Sequence, residues 1–577
     1  PRICWAGADM RILFLTHAFN SLTQRLFVEL EALGHQVSVE FDINDSVARE
    51  AVLLATPDLI IAPFLKRAIP ESIWRQHSCF VVHPGIPGDR GPSSLDWAIL
   101  KGRTRWGVTV LQANGEMDGG DIWASCEFAM RQASKGSLYR NEVTEAAVSA
   151  VLLAVARFQS GDYQPLPQQQ LKASDSGQWQ PLMRQQQRQI DWQQDTTELV
   201  MRKLRSGDGL PGVKDSLFDH PCYLYDASVE HQLKGRPGEV IAKSGPAICI
   251  ATIDGAVWVG HLKLSEGEMR FKLPASMLLA GQLSQLPEVT PTQESGYREV
   301  WYEEADGVGY LHFPFYNGAM SGAQCRTLLE AYRAAKQCDT QAIVLLGGPD
   351  YWSNGMHLNL IEAAESAADA SWENINAIDD LALEIINTES HLTIAALQGN
   401  AGAGGVFLAR AADEVWARNG VILNPHYKDM GNLYGSEYWS YLLPRYVGEE
   451  HARTIIHNRL PMGAAQASEL QLVDRVIDQR GDAYLAQVRK LAEAMIAAPA
   501  FAKRLHYKRA RRTADELQKP LSQYREEELE QMKRNFYGFD PSYHIARYNF
   551  VHKIAKSRTP LTIARHRRTD NQWKCAS

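Results

Sequence analysis

CFVVHPGIPGDRGPSSLDWAI, residues 79–99, is the stretch on which the fold of the first half turns. An apolar run ends in His83, and the next nine residues hold three prolines and three glycines. A strand that stops at a histidine and then turns sharply presents an imidazole at the mouth of a cleft. The plainer alternative is a surface loop that opens on a solvated histidine. The flanking segments choose between the two. RILFLTH (11–17), HQVSVEF (35–41), DLIIAPF (58–64) and WGVTVLQA (106–113) are short β-rich runs. Helical stretches separate the first of them; SLTQRLFVELEALG (21–34) places Leu22, Leu26, Phe27 and Leu30 on one face. Strand–helix alternation predicts a mostly parallel α/β sheet. Ligands of such sheets sit beyond the C-terminal strand ends, where His83 falls. The first strand runs into THAFNSLTQ, with no G-x-G-x-x-G, so a nucleotide-binding turn is not supported.

The chain has 577 residues, too many for one core, and three or four domains are expected. Composition is that of an ordinary soluble protein, with 45% hydrophobic and 22% charged residues and a formal net charge of −7. Mild acidity gives no reason to expect nucleic acid, and no uninterrupted apolar run predicts a membrane span. Eight cysteines without a C-x-x-C pair argue against a zinc site or a disulfide framework. A reduced, cytoplasmic protein is expected, with no metal. Residues 1–9 precede Met10 and the first strand, and read as a leader or a start-site extension.

Composition divides the rest. A first domain is expected over 10–165, and Gln-rich text (QPLPQQQLKA, MRQQQRQIDW) opens the next segment. A small, mainly β domain is expected over 166–290, with one helix in TTELVMRKLRS. After the polar linker QLPEVTPTQESGYREV a new alternating region spans 291–490, with strands in GVGYLHFPF and QAIVLLGG. The stretch 491–577 reads as helical and basic, with KRLHYKRARR (503–512) and ARHRR (564–568).

Downstream of His83, the chain runs through a Pro/Gly/Arg loop and a helix to GVTV and then to DGGDI, which contains Asp118. This series resembles the formyltransferase domain that takes formyl from 10-formyltetrahydrofolate, over about 10–165. IDW and MRKLRSGDGLPG continue the likeness into the C-terminal domain of methionyl-tRNA formyltransferases. The family works with Asn-x-His and the Asp of D-G-G. His83 and Asp118 match, whereas the Asn position holds Val81. An aspartate beside an imidazole fixes its tautomer and stabilises its charged form, which suits His83 to move a proton. The missing Asn would have donated to the formyl oxygen as it gains charge. Two readings of Val81 stay open. The acceptor is a thiol, which can attack as thiolate; or Val81 fills the sheet and a backbone N–H replaces the Asn.

Two Gly-rich loops follow in order, LLGGPDYWSNGMHLNL (345–360) and AALQGNAGAGGVFLARAAD (395–413). Their pairing resembles the crotonase (enoyl-CoA hydratase/isomerase) superfamily, over roughly 305–490, and implies a ββα spiral fold. By that resemblance the backbone N–H groups of Met356 and Gly404 form an oxyanion hole for a thioester, while Gly355 and Gly405 line it and admit the ligand. Glycines allow that close approach. Hydratases carry two glutamates, and here those positions hold Phe407 and, by approximate alignment, His426. Ordinary hydration is therefore not expected. NPHYKDMGNLYGSEYWSY (424–441) offers His426, Tyr427, Tyr434 and Glu437 as groups facing the thioester. A core aromatic cluster with a surface glutamate is the bland alternative.

A folate-dependent formyl site joined to a CoA-thioester site resembles the HypX-type family of hydrogenase maturation factors, across 10–577. That resemblance implies two cosubstrates, 10-formyltetrahydrofolate and coenzyme A. It implies formyl transfer to CoA, then decarbonylation of formyl-CoA to give the CO ligand of nickel–iron hydrogenase. Its partners would be small-molecule substrates and, by the same resemblance, hydrogenase maturation proteins or the hydrogenase large subunit. Two rivals remain: an amine or tRNA formyltransferase with an appended thioester-binding module, and a non-catalytic scaffold. The basic runs at 503–512 and 564–568 are read either as grips for CoA phosphates or as solvated faces.

Overall fold

The computed structural model describes residues 9–171, 177–569 and 573. Residues 1–8 of the expected extension and 172–176 of the Gln-rich segment lie outside the described residues. The chain divides into two compact units, 1–297 with 555–577, and 298–554.

The first unit opens with β1 (Arg11–Thr16), β2 (Gln36–Phe41), β3 (Leu59–Ala62), β4 (Cys79–His83), β5 (Arg105–Gln112) and β6 (Ile122–Ala129), in sheet order β2-β1-β3-β4-β5-β6. The first four strands are parallel, as their near-continuous apolar runs require. β5 and β6 then add antiparallel. Asn20 caps the helix Ser21–Ala32 by accepting the Thr23 N–H at 3.0 Å, and the helix buries Leu22, Leu26, Phe27 and Leu30. The helical stretch Lys135–Ser160 is, among the described residues, long and apolar enough to cross a membrane. Half of its most apolar window is buried, and it packs on β5 and β6 as a core helix.

β7 (Val213–Leu217), β8 (His220–Glu230), β9 (Val240–Ser244), β10 (Ala247–Ala251), β11 (Ala256–Leu264) and β12 (Leu273–Pro274) form a separate antiparallel sheet, backed by the helix Thr197–Gly207. The polar linker is fastened to it: Glu230 accepts from Ser295 Oγ at 3.0 Å and the Gly296 N–H at 3.1 Å.

The segment 491–577, read in sequence as one basic helical stretch, is divided between the units. Residues 555–577 belong to the first, and 564–568 holds only the short turn Arg565–Arg567. This tail lies along β2, the edge strand. The Val39 N–H donates to the Ile563 carbonyl at 3.0 Å, and the Phe41 N–H to Thr559 Oγ1 at 2.8 Å. His566 bridges Ser38 Oγ (2.6 Å) and Glu40 (3.0 Å), while Arg567 pairs with Glu40 and Glu50. An open edge is thereby covered.

The second unit contains β13 (Trp301–Ala305), β14 (Val308–His312), β15 (Ala342–Leu346), β16 (Tyr351–Ser353), β17 (Leu392–Leu397), β18 (Asn400–Gly402), β19 (Glu414–Arg418), β20 (Ile422–Asn424), β21 (Met462–Gly463) and β22 (Arg475–Ile477). They form a six-stranded sheet, β13-β14-β15-β17-β19-β22, and a four-stranded one, β16-β18-β20-β21. Successive ββα turns fill the space between with a large apolar core that includes Trp352, Phe407 and Leu443. The helices Phe501–Gln518, Leu521–Tyr537 and Ser542–Val551 complete this unit. Basic side chains in 503–512 are met from within it: Arg504 pairs with Glu414, Lys508 with Asp413 at 2.6 Å, and Arg512 with Glu516.

Candidate active sites

In the first unit, His83 ends β4 and is only 4% exposed. The turn after it is fixed by β5, because Trp106 Nε1 donates to the Pro84 carbonyl and Thr109 Oγ1 to that of Gly85. His83 Nδ1 lies 3.5 Å from Asp118 Oδ2, so the pair expected from sequence comes together. Asp118 sits at φ +52 and accepts the Gly91 N–H at 3.0 Å. Gln168 Nε2 donates to the Asp118 and Gly120 carbonyls at 2.8 and 2.7 Å, so one residue of the Gln-rich stretch braces this turn.

Sequence reasoning missed Asp89. Its Oδ2 is 2.9 Å from His83 Nε2 and also accepts from Ser94 Oγ, and its side chain is 1% exposed. The imidazole therefore stands between two carboxylates, one facing each nitrogen. Gly85 makes it possible: a Cβ there would lie 2.4 Å from His83 Nε2 and 2.5 Å from Asp89 Oδ2. Val81 pairs with Ala62 and Leu111 and packs on the apolar layer of the sheet.

In the second unit the two Gly-rich loops meet. A Cβ on Gly355 would lie 3.6 Å from the Gly404 nitrogen, and one on Gly405 would strike the Ser353 carbonyl at 2.1 Å. Met356 forms a single bridge with Met320, through the Met320 N–H and the Gly355 carbonyl. Among the described residues the N–H groups of Met356 and Gly404 have no protein acceptor. Glu437 reaches this point: a Cβ on Gly404 would lie 1.9 Å from Glu437 Oε1. Glu437 is 1% exposed and its other oxygen is 2.6 Å from Tyr427 Oη. Phe407 stacks on the Tyr427 ring with centroids 5.5 Å apart. Burial first, then the charge of Asp379, pushes the Glu437 carboxyl up to about 8. Burial and the adjacent Glu437 hold the Tyr427 hydroxyl well above its ordinary range.

His426 and Tyr434 are not brought to this pair. His426 Nδ1 is buried without a protein partner among the described residues, and burial lowers its basicity. Tyr434 tilts against Trp439 and donates its N–H to Asn535. Two further acids surround Glu437 that the sequence did not single out, Asp379 and Glu528.

Comparisons with known proteins agree with this layout. Residues 35–155 match the formyl transferase family model, 182–278 the formyl transferase C-terminal domain and 307–550 enoyl-CoA hydratase/isomerase. The chain is 57% identical to the hydrogenase maturation factor HoxX of Bradyrhizobium diazoefficiens, over 97% of each. It is 25% identical to the methionyl-tRNA formyltransferase of Geobacillus thermodenitrificans, over 47% of this chain and 85% of that one. The crystal structure of HypX from Aquifex aeolicus in complex with tetrahydrofolic acid superposes with a TM-score of 0.94 and 48% identity, covering 98% of this chain and 100% of that one. The chain belongs to the HoxX/HypX family of hydrogenase maturation factors.

Proposed function

We propose that the chain makes carbon monoxide in two steps, from 10-formyltetrahydrofolate by way of formyl-CoA, for a maturing hydrogenase. In the first step His83 takes the proton of the CoA thiol, the thiolate attacks the formyl carbon, and the proton returns to the departing folate nitrogen. Asp118 and Asp89 orient the ring and stabilise its charged form. The tetrahydrofolic acid complex of the Aquifex protein supports folate binding.

Formyl-CoA has no α-carbon, so enolate chemistry does not apply. The Met356 and Gly404 amides would hold its carbonyl oxygen. Glu437, neutral at pH 7, gives its proton to sulfur, and the carboxylate so formed collects the formyl hydrogen as CO departs. CoA leaves as the thiol, and Glu437 is returned to its starting state. Tyr427 holds the carboxyl in place. One observation carries this reading: the loop position where hydratases keep a glutamate is Phe407, and the acid at the Gly404 amide is Glu437, from a different segment. Six free cysteines among the described residues suit a reducing compartment, and we place the reaction in the cytoplasm.

The test is to incubate the full chain with 10-formyltetrahydrofolate and CoA and to follow headspace CO by haemoglobin absorbance. CO formation that depends on both substrates is expected. Absence of both CO and formyl-CoA removes the proposal.

A further inference from the structure

Glu437 and Tyr438 are consecutive non-glycine residues at φ +57 and +58. Such a pair persists only where its surroundings over-determine it. Two buried carboxylates do so here. Asp379, in the helix Ala367–Ile386, accepts the Glu437 N–H at 2.8 Å through Oδ1 and Ser436 Oγ at 2.8 Å through Oδ2. Glu528, in the helix Leu521–Tyr537, accepts the Tyr438 N–H at 3.0 Å and the Ser440 N–H at 2.8 Å, each on a different oxygen. Asp379 is 0% and Glu528 1% exposed. Ser436 Oγ also lies 3.1 Å from Glu528. One hydroxyl proton cannot serve two carboxylates, so one of the acids must bring its own for both contacts to be hydrogen bonds.

We infer that Glu528 and Asp379 are positioning residues for the second step: they clamp the left-handed Glu437–Tyr438 turn and so hold the Glu437 carboxyl over Gly404. The inference rests on the role proposed above for Glu437. The helix Leu521–Tyr537 buries Leu521, Glu528, Met532 and Phe536 on one face, so Glu528 occupies a core position where an apolar residue would pack without cost. A carboxylate there needs a function, and the turn it holds carries the acid of the proposed reaction. The groups around the clamp also include Arg525, 3.8 Å from Asp379, the Tyr427 hydroxyl, which donates to Glu437, and the Cys325 thiol within electrostatic reach of Glu437. Burial and the charge of Asp379 push Glu528 up to about 8.

Glu528→Gln keeps the shape but leaves either the Tyr438 or the Ser440 N–H without an acceptor. With supplied formyl-CoA, the full-length variant should lose CO-forming kcat by about tenfold or more, in line with the cost of small misplacements at a reacting centre. KM should change less than threefold, the pH profile should move toward lower pH, and formyl transfer to CoA should be unchanged. A crystal structure of the variant should show the Glu437 carboxyl displaced from Gly404. Glu528→Ala, if it folds, should displace it further. An unmoved Glu437 in Glu528→Gln overturns the clamp, whatever the rate. A displaced Glu437 with undiminished CO output, or a parent chain that makes no CO, overturns the role of Glu437 instead.

Discussion

The two sites handle acids in opposite ways. In the first unit, Asp89 and Asp118 flank a base, and each has an imidazole nitrogen to answer it. In the second, Asp379, Glu437 and Glu528 crowd around Ser436, Ser440 and Tyr427, with the Arg525 guanidinium 3.8 Å from Asp379. The second arrangement, buried and crowded with like charges, favours neutral, proton-carrying acids. Under the proposed mechanism, the difference places proton uptake by His83 and proton storage by Glu437 in separate environments, as thiol activation followed by protonation at sulfur would require.

The sharpest way to break the comparison is His83→Ala. Loss of the base should cut consumption of 10-formyltetrahydrofolate by about 10³-fold, while CO release from supplied formyl-CoA stays within twofold; unchanged folate turnover removes His83 as the base. Glu437→Gln should do the reverse, lowering CO release by about 10²-fold and letting formyl-CoA accumulate. A normal CO yield from that variant would move the role to Tyr427 or His426. Asp89→Asn should lower formyl transfer by about tenfold, because the amide holds His83 but no longer balances its charge; equal activity at all pH values would make Asp89 a packing residue.

The smallest effects are those of pH. Under the proposed mechanism the CO-forming step needs protonated Glu437, so its rate should fall as pH rises through about 8, read from initial rates with formyl-CoA. Stability follows the same groups. The unfolded chain releases these protons near the ordinary glutamate value of 4.5, the folded chain only near 8, so the folded state binds more protons between the two. Melting temperature should therefore decline from pH 5 to 8.5, and Glu437→Gln should flatten that decline by a few degrees. Glu230 supplies the contrast. Burial raises it, but hydrogen bonds from Gln232, Gly296 and Trp258 outweigh that and hold it at about 2, so its contribution is lost only in acid.

Much of this was legible from sequence, and the gaps have physical causes. His83 and Asp118 were found because a strand end and a D-G-G turn mark them. Asp89 was not, since an aspartate between glycine and arginine in a Pro/Gly loop reads as a solvated turn residue. Gln168 was hidden in a run of identical residues, of which burial selects one. In the second unit the two loops were legible through their glycines, and Glu437 through its polar-aromatic neighbourhood. His426 and Tyr434 share that neighbourhood, yet Tyr434 tilts against Trp439 and the buried His426 Nδ1 has no protein partner among the described residues, which spacing alone does not reveal. Glu528 stands in REEELE, where composition singles out no glutamate. A signal did exist: Leu521, Met532 and Phe536 fall on a helical stripe that includes position 528.

The tail along β2 has a consequence for biosynthesis. Ribosomes deliver residues 36–41 long before 559–567, an interval on the order of a minute at ordinary elongation rates. Throughout that interval the amino-terminal sheet has an unsealed border able to recruit a stray strand from a neighbouring nascent chain. Chaperone demand should thus peak late in translation, and clones that stop short of residue 559 should precipitate even though every residue proposed for catalysis is present.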